Sequence, residues 1–128
     1  MIQQLVKDLE LNTKIILCPT VRDADGLALS SRNQYLTAPQ RQQARLLYQA
    51  LSAGKQAIAK GQYATKDICK TMQQVLKIHQ SIIIDYLDCC DALTLDPLKQ
   101  VEGKVVLLGA IRIGKVRLID NLLVRARQ

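Results

Sequence analysis

The hydrophobic positions at the start of the chain recur with helical spacing. Four apolar residues fall at i, i+3, i+4 and i+7, which predicts an amphipathic helix: Ile2, Leu5, Val6 and Leu9. An unbroken apolar run over 14–18, ended by Pro19, is typical of a strand covered on both faces. Residues 1–18 are therefore predicted to be the last helix–strand step of an α/β domain. No N-cap residue precedes this apolar stripe, which favours a chain that is part of a longer protein. Met1 is also compatible with the true start of the protein.

Two helices are predicted in the middle of the chain. Thr37 and Gln40 have the spacing of a capping box, and the helix that follows extends to about Lys60, with Gly61 as its C-terminal glycine. Its apolar stripe consists of Leu47, Ala50, Leu51, Gly54 and Ile58. Thr65 is the predicted N-cap of the second helix, whose apolar face consists of Ile68, Met72, Val75, Leu76 and His79.

The last third of the chain predicts strands. The first covers 81–89 and places three residues on one side: Ile82, Ile84 and Tyr86. Two further strands, over 105–113 and 115–120, flank Gly114, which predicts the turn of a β-hairpin. Residues 19–128 are therefore predicted to form an α+β domain, in which a small antiparallel sheet of about three strands packs with helices.

Composition limits the class of protein. The 128 residues correspond to about one domain, and the absence of Trp and Phe requires an aliphatic core. The four cysteines form no Cys-x-x-Cys pair, so we expect reduced thiols and no metal site. No apolar run approaches the roughly 20 residues of a membrane span, and no signal pattern begins the chain. We expect a soluble, cytoplasmic protein.

The formal net charge of the chain is +7. Positive charge attracts phosphate groups on nucleotides, nucleic acids or membranes. The densest basic group lies near the end of the chain: Arg112, Lys115, Arg117, Arg125 and Arg127. A solvated surface with a basic tail accounts for the same residues. A nucleic-acid-binding module stays open as an alternative, although stacking aromatic residues are scarce.

One loop contains candidate chemistry. Residues 19–36 exceed the roughly 12–15 residues above which structureless connections are uncommon and often functional. Within the loop, Ser30, Ser31 and Arg32 combine two hydroxyl donors with a guanidinium that can pair with phosphate through two nitrogens. These three residues predict an anion-binding segment.

Two further residues of the loop bear on how it would work. We expect Gly26 to free the backbone so that the segment can close over a ligand. We expect Leu29 to anchor the segment by packing beneath it. An ordinary turn before a helix is an alternative explanation for the residues of this loop.

Several stretches of the chain match one protein family in order and in spacing. The run over 19–33 reads Pro-Thr-Val-Arg-Asp-Ala-Asp-Gly-Leu-Ala-Leu-Ser-Ser-Arg-Asn and is followed by Tyr-Leu at 35–36. Asp-Tyr at 85–86, Arg-Leu-Ile-Asp-Asn at 117–121 and the helix over 1–9 agree as well. Over essentially its whole length, the chain resembles the pantothenate synthetases, which are pantoate–β-alanine ligases.

The resemblance implies a reaction and a set of site residues. The family condenses pantoate with β-alanine through a pantoyl adenylate and converts ATP to AMP and pyrophosphate. By analogy with the mobile K-M-S-K-S loop of class I aminoacyl-tRNA synthetases, Ser30, Ser31 and Arg32 would hold the β- and γ-phosphates. Leu29, in place of a common Met, would lie at the base of the loop, and the backbone of Val21 would meet the adenine.

The resemblance also implies what this chain lacks. Residues 1–18 would be the end of an N-terminal Rossmann-like domain, and residues 19–128 the C-terminal domain. The family's His-x-Gly-His motif, its pantoate-binding Gln residues and its Mg²⁺ ligands would lie upstream of Met1. We therefore expect no activity from the isolated chain and no catalytic role for His79. The full-length enzyme is expected to be a homodimer.

Two alternatives to this enzyme stay open besides nucleic-acid binding. An interaction domain would pair two chains through the apolar stripe of residues 1–18, and this is compatible with the enzyme. A different adenylate-forming or nucleotidyl-transferring enzyme could have a similar loop. Its substrate dependence would distinguish it.

Overall fold

Two long helices pack against a three-stranded antiparallel sheet, and a short helix precedes them. The computed structural model describes residues 1–126, so Arg127 of the basic group lies outside the described residues. The helices are α1 (Ile2–Asp8), α2 (Ala38–Ala59) and α3 (Thr65–Leu76), with a 3-10 helix at Ser31–Tyr35. The strands are β1 (Ile82–Asp91), β2 (Lys104–Ile113) and β3 (Val116–Arg125), in the order β1-β2-β3. The predicted α+β fold is confirmed.

The first 20 residues contain only one of the two predicted elements. The helix α1 forms, although none of its residues is buried. The strand predicted over 14–18 is wrong for the described structure, because residues 11–20 adopt no regular secondary structure. A strand depends on hydrogen bonds to a neighbouring strand, and none of β1, β2 and β3 pairs with residues 14–18. Ile16 and Leu17 are consequently 73% and 75% exposed.

The predicted ends of α2 are confirmed. The Thr37 hydroxyl accepts a hydrogen bond from the Gln40 backbone N–H at 3.4 Å, and the Gln40 side chain accepts from the Thr37 N–H at 3.0 Å. This capping box satisfies two N–H groups that the first turn leaves free. At the other end, Gly61 has a φ of 92°, a left-handed conformation that stops a helix at little cost only in glycine.

The start of α3 differs from the prediction. Thr65 is the first helical residue instead of the N-cap, and Ala64, which precedes it, makes no side-chain cap hydrogen bond. Ala64 pairs with Gln100 in a β-bridge, and the Thr65 N–H donates to the Lys99 carbonyl at 3.1 Å. A distant backbone segment thus fixes this helix end. The prediction that His79 lies on the apolar face is also wrong, because α3 ends before it and its imidazole is exposed.

A β-bulge changes the inward-facing pattern of β1. Ile84 pairs with Ile111 and Tyr86 pairs with Ala110, so that Asp85 is an extra residue in the strand. The side chains that reach the core are Ile82 and Ile84 before the bulge and Leu87 and Cys89 after it. The prediction that Tyr86 shares the side of Ile84 is therefore wrong, and Tyr86 is 38% exposed.

The predicted hairpin is confirmed. Ile113 pairs with Val116, which leaves Gly114 and Lys115 as a two-residue turn. Gly114 has a φ of 57°, which suits glycine at the first position of such a turn. β3 continues beyond its predicted end at residue 120 and forms one edge of the sheet.

The core is aliphatic, as the composition requires. Its largest fully buried side chains come from both long helices and the sheet: Leu51, Ile68, Met72, Leu76, Val105, Leu107, Ile111 and Ile113. A Cβ on Gly54 would stand 2.9 Å from Met72 Cγ and 3.0 Å from Leu107 Cδ1, so α2, α3 and β2 meet closely there. No helix within residues 1–126 is long and apolar enough to cross a bilayer.

Candidate functional site

A cavity of about 360 Å³ lies where the segment between α1 and α2 meets the edge of the sheet. The residues that line it come from five parts of the fold: Ser30, Arg32 and Asn33 of the segment, Leu47 and Tyr48 of α2, Tyr86 of β1, Leu108 of β2, and 117–121 of β3. The cavity combines hydroxyl, guanidinium and amide groups with apolar walls, which is the usual composition of a small-molecule site.

Arg22 joins the segment to β3 through a largely buried ion pair. Its Nη1 and Nη2 atoms donate to the two carboxylate oxygens of Asp120 at 2.5 and 2.9 Å, and the two side chains are 15% and 5% exposed. Nη1 also donates to the Gly26 carbonyl at 3.1 Å, and Nη2 donates to the Asn121 carbonyl at 3.2 Å. The guanidinium carbon lies 4.1 Å from the centre of the Tyr48 ring. The hydrogen bonds with Asp120 raise the pKa of Arg22 above its ordinary value, so the guanidinium stays charged.

A closed turn follows Arg22. The Gly26 N–H donates to the Asp23 carbonyl at 2.9 Å, and Gly26 has a φ of 89°. Arg41 of α2 pairs with the Asp23 carboxylate at 2.6 Å, and Arg22 and Ala28 then meet in an antiparallel β-bridge. Gly26 is thus a turn glycine packed against α2, whereas the sequence suggested a residue that frees the backbone.

The polar groups at the mouth of the cavity are only partly satisfied. Ser30 Oγ accepts from the Arg32 backbone N–H at 3.2 Å, which leaves the hydroxyl proton free to donate. The Arg32 side chain is exposed and forms no ion pair among residues 1–126. Asn33 donates from Nδ2 to the Ala28 carbonyl at 3.1 Å, but its buried Oδ1 has no partner among the described residues. A ligand that offers anionic oxygens and a hydrogen-bond donor would fit these groups.

The structure brings some of the predicted site residues to the cavity and leaves others outside it. Leu29, Ser30 and Arg32 line the cavity. Ser31 begins the 3-10 helix and is exposed outside the lining. Val21 also lies outside it: its carbonyl accepts from the Leu29 N–H at 3.0 Å, while its own N–H has no partner among residues 1–126. A free backbone N–H of this kind can meet a purine edge.

The expectation that Leu29 anchors the segment is wrong. Leu29 is 57% exposed, whereas Leu27 is 6% exposed and belongs to the core. After the β-bridge at Ala28, the chain leaves the core and turns into the 3-10 helix. Leu27, two residues earlier, therefore takes the buried position.

A second set of charged residues lies on the outer face of the sheet. Asp85, at the bulge, accepts hydrogen bonds from Arg117 Nε and Arg112 Nε, each at 2.8 Å. The bonds from Arg117 and Arg112 lower the pKa of Asp85. Because Arg117 lines the cavity, Asp85 helps to fix one of its walls.

Arg22, Asp120 and Asp85 were not recognised as site residues from the sequence, although all three lie in the stretches that matched the family. One signal was available. In β3 the residues that face the core alternate, and Asp120 occupies one of these positions in an otherwise apolar series with Val116 and Leu118. A carboxylate at a core position requires a cation or several hydrogen bonds, which predicts a partner such as Arg22.

Cysteines and metal ligands contribute little to this site. Cys89 is buried against Cys69, and the hydrogen bond between the two thiols together with burial raises the pKa of Cys89. Within the part of the chain that the structure describes, no three His, Cys, Asp or Glu side chains lie close enough to hold a metal ion.

Comparison with known proteins gives consistent results. The family profile of Pantoate-beta-alanine ligase matches residues 1–123. Pantothenate synthetase of Caldicellulosiruptor bescii is 43% identical over 98% of this chain and 45% of its own length. The bifunctional pantoate ligase/cytidylate kinase of Trichormus variabilis is 42% identical over 99% of this chain and 24% of its own.

Solved structures agree with the sequence comparison. A crystal structure of pantothenate synthetase from Thermus thermophilus has a TM-score of 0.88 at 35% identity and covers 94% of this chain and 44% of that one. The pantoate-beta-alanine ligase of Francisella tularensis, complexed with beta-gamma ATP and beta-alanine, has a TM-score of 0.58 at 32% identity. The chain spans less than half the length of these relatives. It belongs to the pantoate–β-alanine ligase family.

Proposed function

We propose that this chain is the carboxy-terminal part of an ATP-dependent ligase that condenses pantoate with β-alanine, and that it supplies the phosphate-binding segment of the active site. The observation that carries the proposal is the arrangement at the cavity mouth. Ser30 keeps a hydroxyl proton available and Arg32 has no acidic partner among the described residues, so both are available to an anionic substrate.

The reaction has two steps. In the first, a pantoate carboxylate oxygen attacks the α-phosphorus of ATP, and the bond to the bridging oxygen breaks to release pyrophosphate. In the second, the β-alanine amine attacks the acyl carbon of the pantoyl adenylate and AMP departs. Negative charge grows on the pyrophosphate during the first step, and donors fixed in place beforehand stabilise that charge without reorganising.

Each predicted residue has a role in this scheme. Arg32 pairs with β- and γ-phosphate oxygens through its planar fork, and the Ser30 and Ser31 hydroxyls donate to the same groups. Ser31 lies outside the cavity lining, so its role requires the segment to move when ATP binds. The free N–H of Val21 meets the adenine, and Leu29 contributes an apolar side chain to the lining of the cavity.

The remaining parts of the site would come from outside this chain. Asp120 already forms an ion pair with Arg22, and residues 1–126 contain no acidic cluster that could hold Mg²⁺. The ligands of Mg²⁺ would therefore be the phosphates and residues outside this chain. Bound Mg²⁺ would neutralise phosphate charge. We accordingly propose that the isolated chain makes no pantothenate and that the complete enzyme is a cytoplasmic homodimer.

A chimaera tests the proposal. This chain would replace the matched 126 residues of the Caldicellulosiruptor bescii pantothenate synthetase, and pyrophosphate release would be measured with ATP, Mg²⁺ and pantoate. We expect pantoate-dependent release, with pantothenate formed once β-alanine is added. Arg32→Ala should lower the rate by about 10²–10³-fold, as loss of a charge-stabilising donor does. The matched control is Arg125→Ala, an exposed arginine at the far end of β3, which should leave the rate within about twofold.

Three results would count against the proposal. Pyrophosphate release that depends on another carboxylate and not on pantoate would support the adenylation step and contradict pantoate as the substrate. An unchanged rate for Arg32→Ala in an active chimaera would remove Arg32 from the mechanism. Synthesis of pantothenate by the isolated chain would contradict the claim that it lacks part of the site.

Self-association is a second candidate function, which one observation favours. The apolar stripe of α1 is open to solvent, with Ile2, Leu5 and Leu9 exposed by 64%, 54% and 59%. A contiguous apolar face of this kind commonly becomes buried in an interface. Light scattering on the 128-residue chain, compared with a Leu5→Lys variant, would show association that depends on this face, whereas a monomer at high concentration would exclude it.

A further inference from the structure

A second recess lies beside the cavity and shares Arg32 and Arg117 with it. The recess has a volume of about 660 Å³, and its lining residues come from the 3-10 helix, the start of α2 and the β2–β3 hairpin: Arg32, Tyr35, Gln40, Lys115, Val116 and Arg117. Three of these six residues are cationic and none is acidic. Converging positive charges on a concave surface create a potential that concentrates anions.

The hairpin turn that contains Lys115 lies close to the start of α2. A Cβ on Gly114 would stand 2.9 Å from Gln40 Nε2, so the turn approaches that side chain closely. Gln40 is itself fixed, because its Oε1 accepts from the Thr37 N–H in the capping box. Lys115 therefore enters the recess from a turn that lies against the start of α2.

The cations of the recess retain free donors. Arg117 uses Nε for its bond to Asp85 at 2.8 Å, which leaves its two terminal nitrogens without a partner among residues 1–126. Lys115 and Arg32 form no ion pair within the described residues. A ligand with several anionic oxygens would reduce the mutual repulsion of these three groups and engage their donors together.

We propose that Lys115 and Arg117, together with Arg32, form a subsite for a diphosphate group, the chemical class of inorganic pyrophosphate and of the β,γ end of a nucleoside triphosphate. The subsite rests on the proposed function insofar as Arg32 belongs to both. A diphosphate fits better than a single phosphate, because the three cations come from two separate elements. It fits better than a nucleic-acid backbone, because the cations surround one recess and do not follow a stripe.

Calorimetric titration of the 128-residue chain with inorganic pyrophosphate tests the subsite. At about 50 mM salt, where screening is weak, Lys115→Gln should weaken binding about three- to fivefold, the range expected for one exposed charge contact. Lys115→Arg keeps the charge and should bind within about twofold of the unmodified chain. The matched control is Lys104→Gln, which makes the same change in net charge at the opposite end of β2 and should have no effect.

The outcomes separate this inference from the proposed function. Equal pyrophosphate affinity for the unmodified chain and Lys115→Gln, or an equal loss for Lys104→Gln, overturns the subsite, as does an absence of binding. If Lys115→Gln weakens pyrophosphate binding and Arg32→Gln does not, the hairpin binds the anion and Arg32 does not contribute to phosphate binding. Equal affinity for inorganic phosphate and pyrophosphate contradicts the diphosphate assignment. Tighter, Lys115-dependent binding of duplex DNA would replace it with a nucleic-acid surface.

Discussion

Gly26 lies directly against the ring of Tyr48, with no room for a side chain between them. A Cβ built on Gly26 would overlap the ring atom Cδ1 and would stand 2.9 Å from Cε1. The same ring carries the guanidinium of Arg22 on its face. Tyr48 thus supports the turn at Gly26 and the arginine that ties this turn to β3, both upstream of the phosphate-binding segment.

This contact predicts that Gly26→Ala destabilises the chain for two reasons. Alanine at a φ of 89° costs about 1 kcal/mol, and displacement of the Tyr48 ring adds about 1–3 kcal/mol of overpacking. Gly61→Ala is the matched control, because Gly61 has a φ of 92° and nothing within 4 Å of a Cβ. Urea unfolding should show the larger loss for Gly26→Ala, and equal losses would contradict the steric role of Tyr48.

The Arg22–Asp120 pair predicts a large cost when one partner loses its charge. Asp120→Asn leaves a largely buried guanidinium without its counter-ion, which costs about 3 kcal/mol. Arg22→Lys should cost about 1–2 kcal/mol, because an ammonium keeps the charge but loses the two-pronged geometry and the contact with Tyr48. Both losses are measured as free energies of unfolding in urea.

The control for this pair is Arg41→Lys. Arg41 also binds a carboxylate, that of Asp23, but these side chains are 38% and 37% exposed, and such pairs contribute at most about 1 kcal/mol. The buried pair should also keep its contribution in about 1 M salt, where exposed pairs are screened. Losses of similar size for Arg22→Lys and Arg41→Lys would show that burial of the Arg22 pair has no energetic consequence.

Local rules predicted the elements that depend on neighbouring residues. The capping box at Thr37 and the turn at Gly114 are specified within a few residues, and both are confirmed. The anion-binding role of Ser30 and Arg32 remains a prediction, since the structure shows only that both line one cavity. Their residue types and order suggested this role before their geometry was known.

Elements that depend on distant residues could not be predicted in the same way. Residues 14–18 have the composition of a strand, but no neighbour within the described chain pairs with them. The bulge at Asp85 arises from pairing with β2 and reverses which side Tyr86 occupies. The pair of Arg22 and Asp120 joins residues that are far apart in the sequence. Each of these features is set by tertiary contacts that no short pattern encodes.

The start of α3 provides a test of whether Thr65 is the N-cap, as the sequence pattern predicts, or the first helical residue, as the structure has it. If Thr65 capped the helix, its loss would cost about 1 kcal/mol. Its Oγ1 is instead buried without a hydrogen-bond partner among the described residues, so Thr65→Val should be neutral or slightly stabilising in thermal unfolding. Thr37→Val, which removes a cap that does form, should lose about 1 kcal/mol. A comparable loss at both positions would restore Thr65 as a cap.

The Asp85 carboxylate predicts a specific dependence of stability on pH. The hydrogen bonds from Arg117 and Arg112 lower its pKa in the folded chain below the ordinary value of 3.8. Its stabilising contribution is therefore complete above about pH 4–5 and is lost as the pH falls through the lower folded pKa. Asp85→Asn should be less stable than the unmodified chain at pH 7, and this difference should shrink as the pH falls through the lowered pKa of Asp85.

Urea unfolding at pH 7, 4 and 2 measures this dependence, with Asp88→Asn as the control. Asp88 is an exposed carboxylate on the same strand with no ion pair among residues 1–126, so its substitution should give a nearly constant difference. A constant difference for Asp85→Asn as well would show that its bonds to the two arginines do not depend on ionisation.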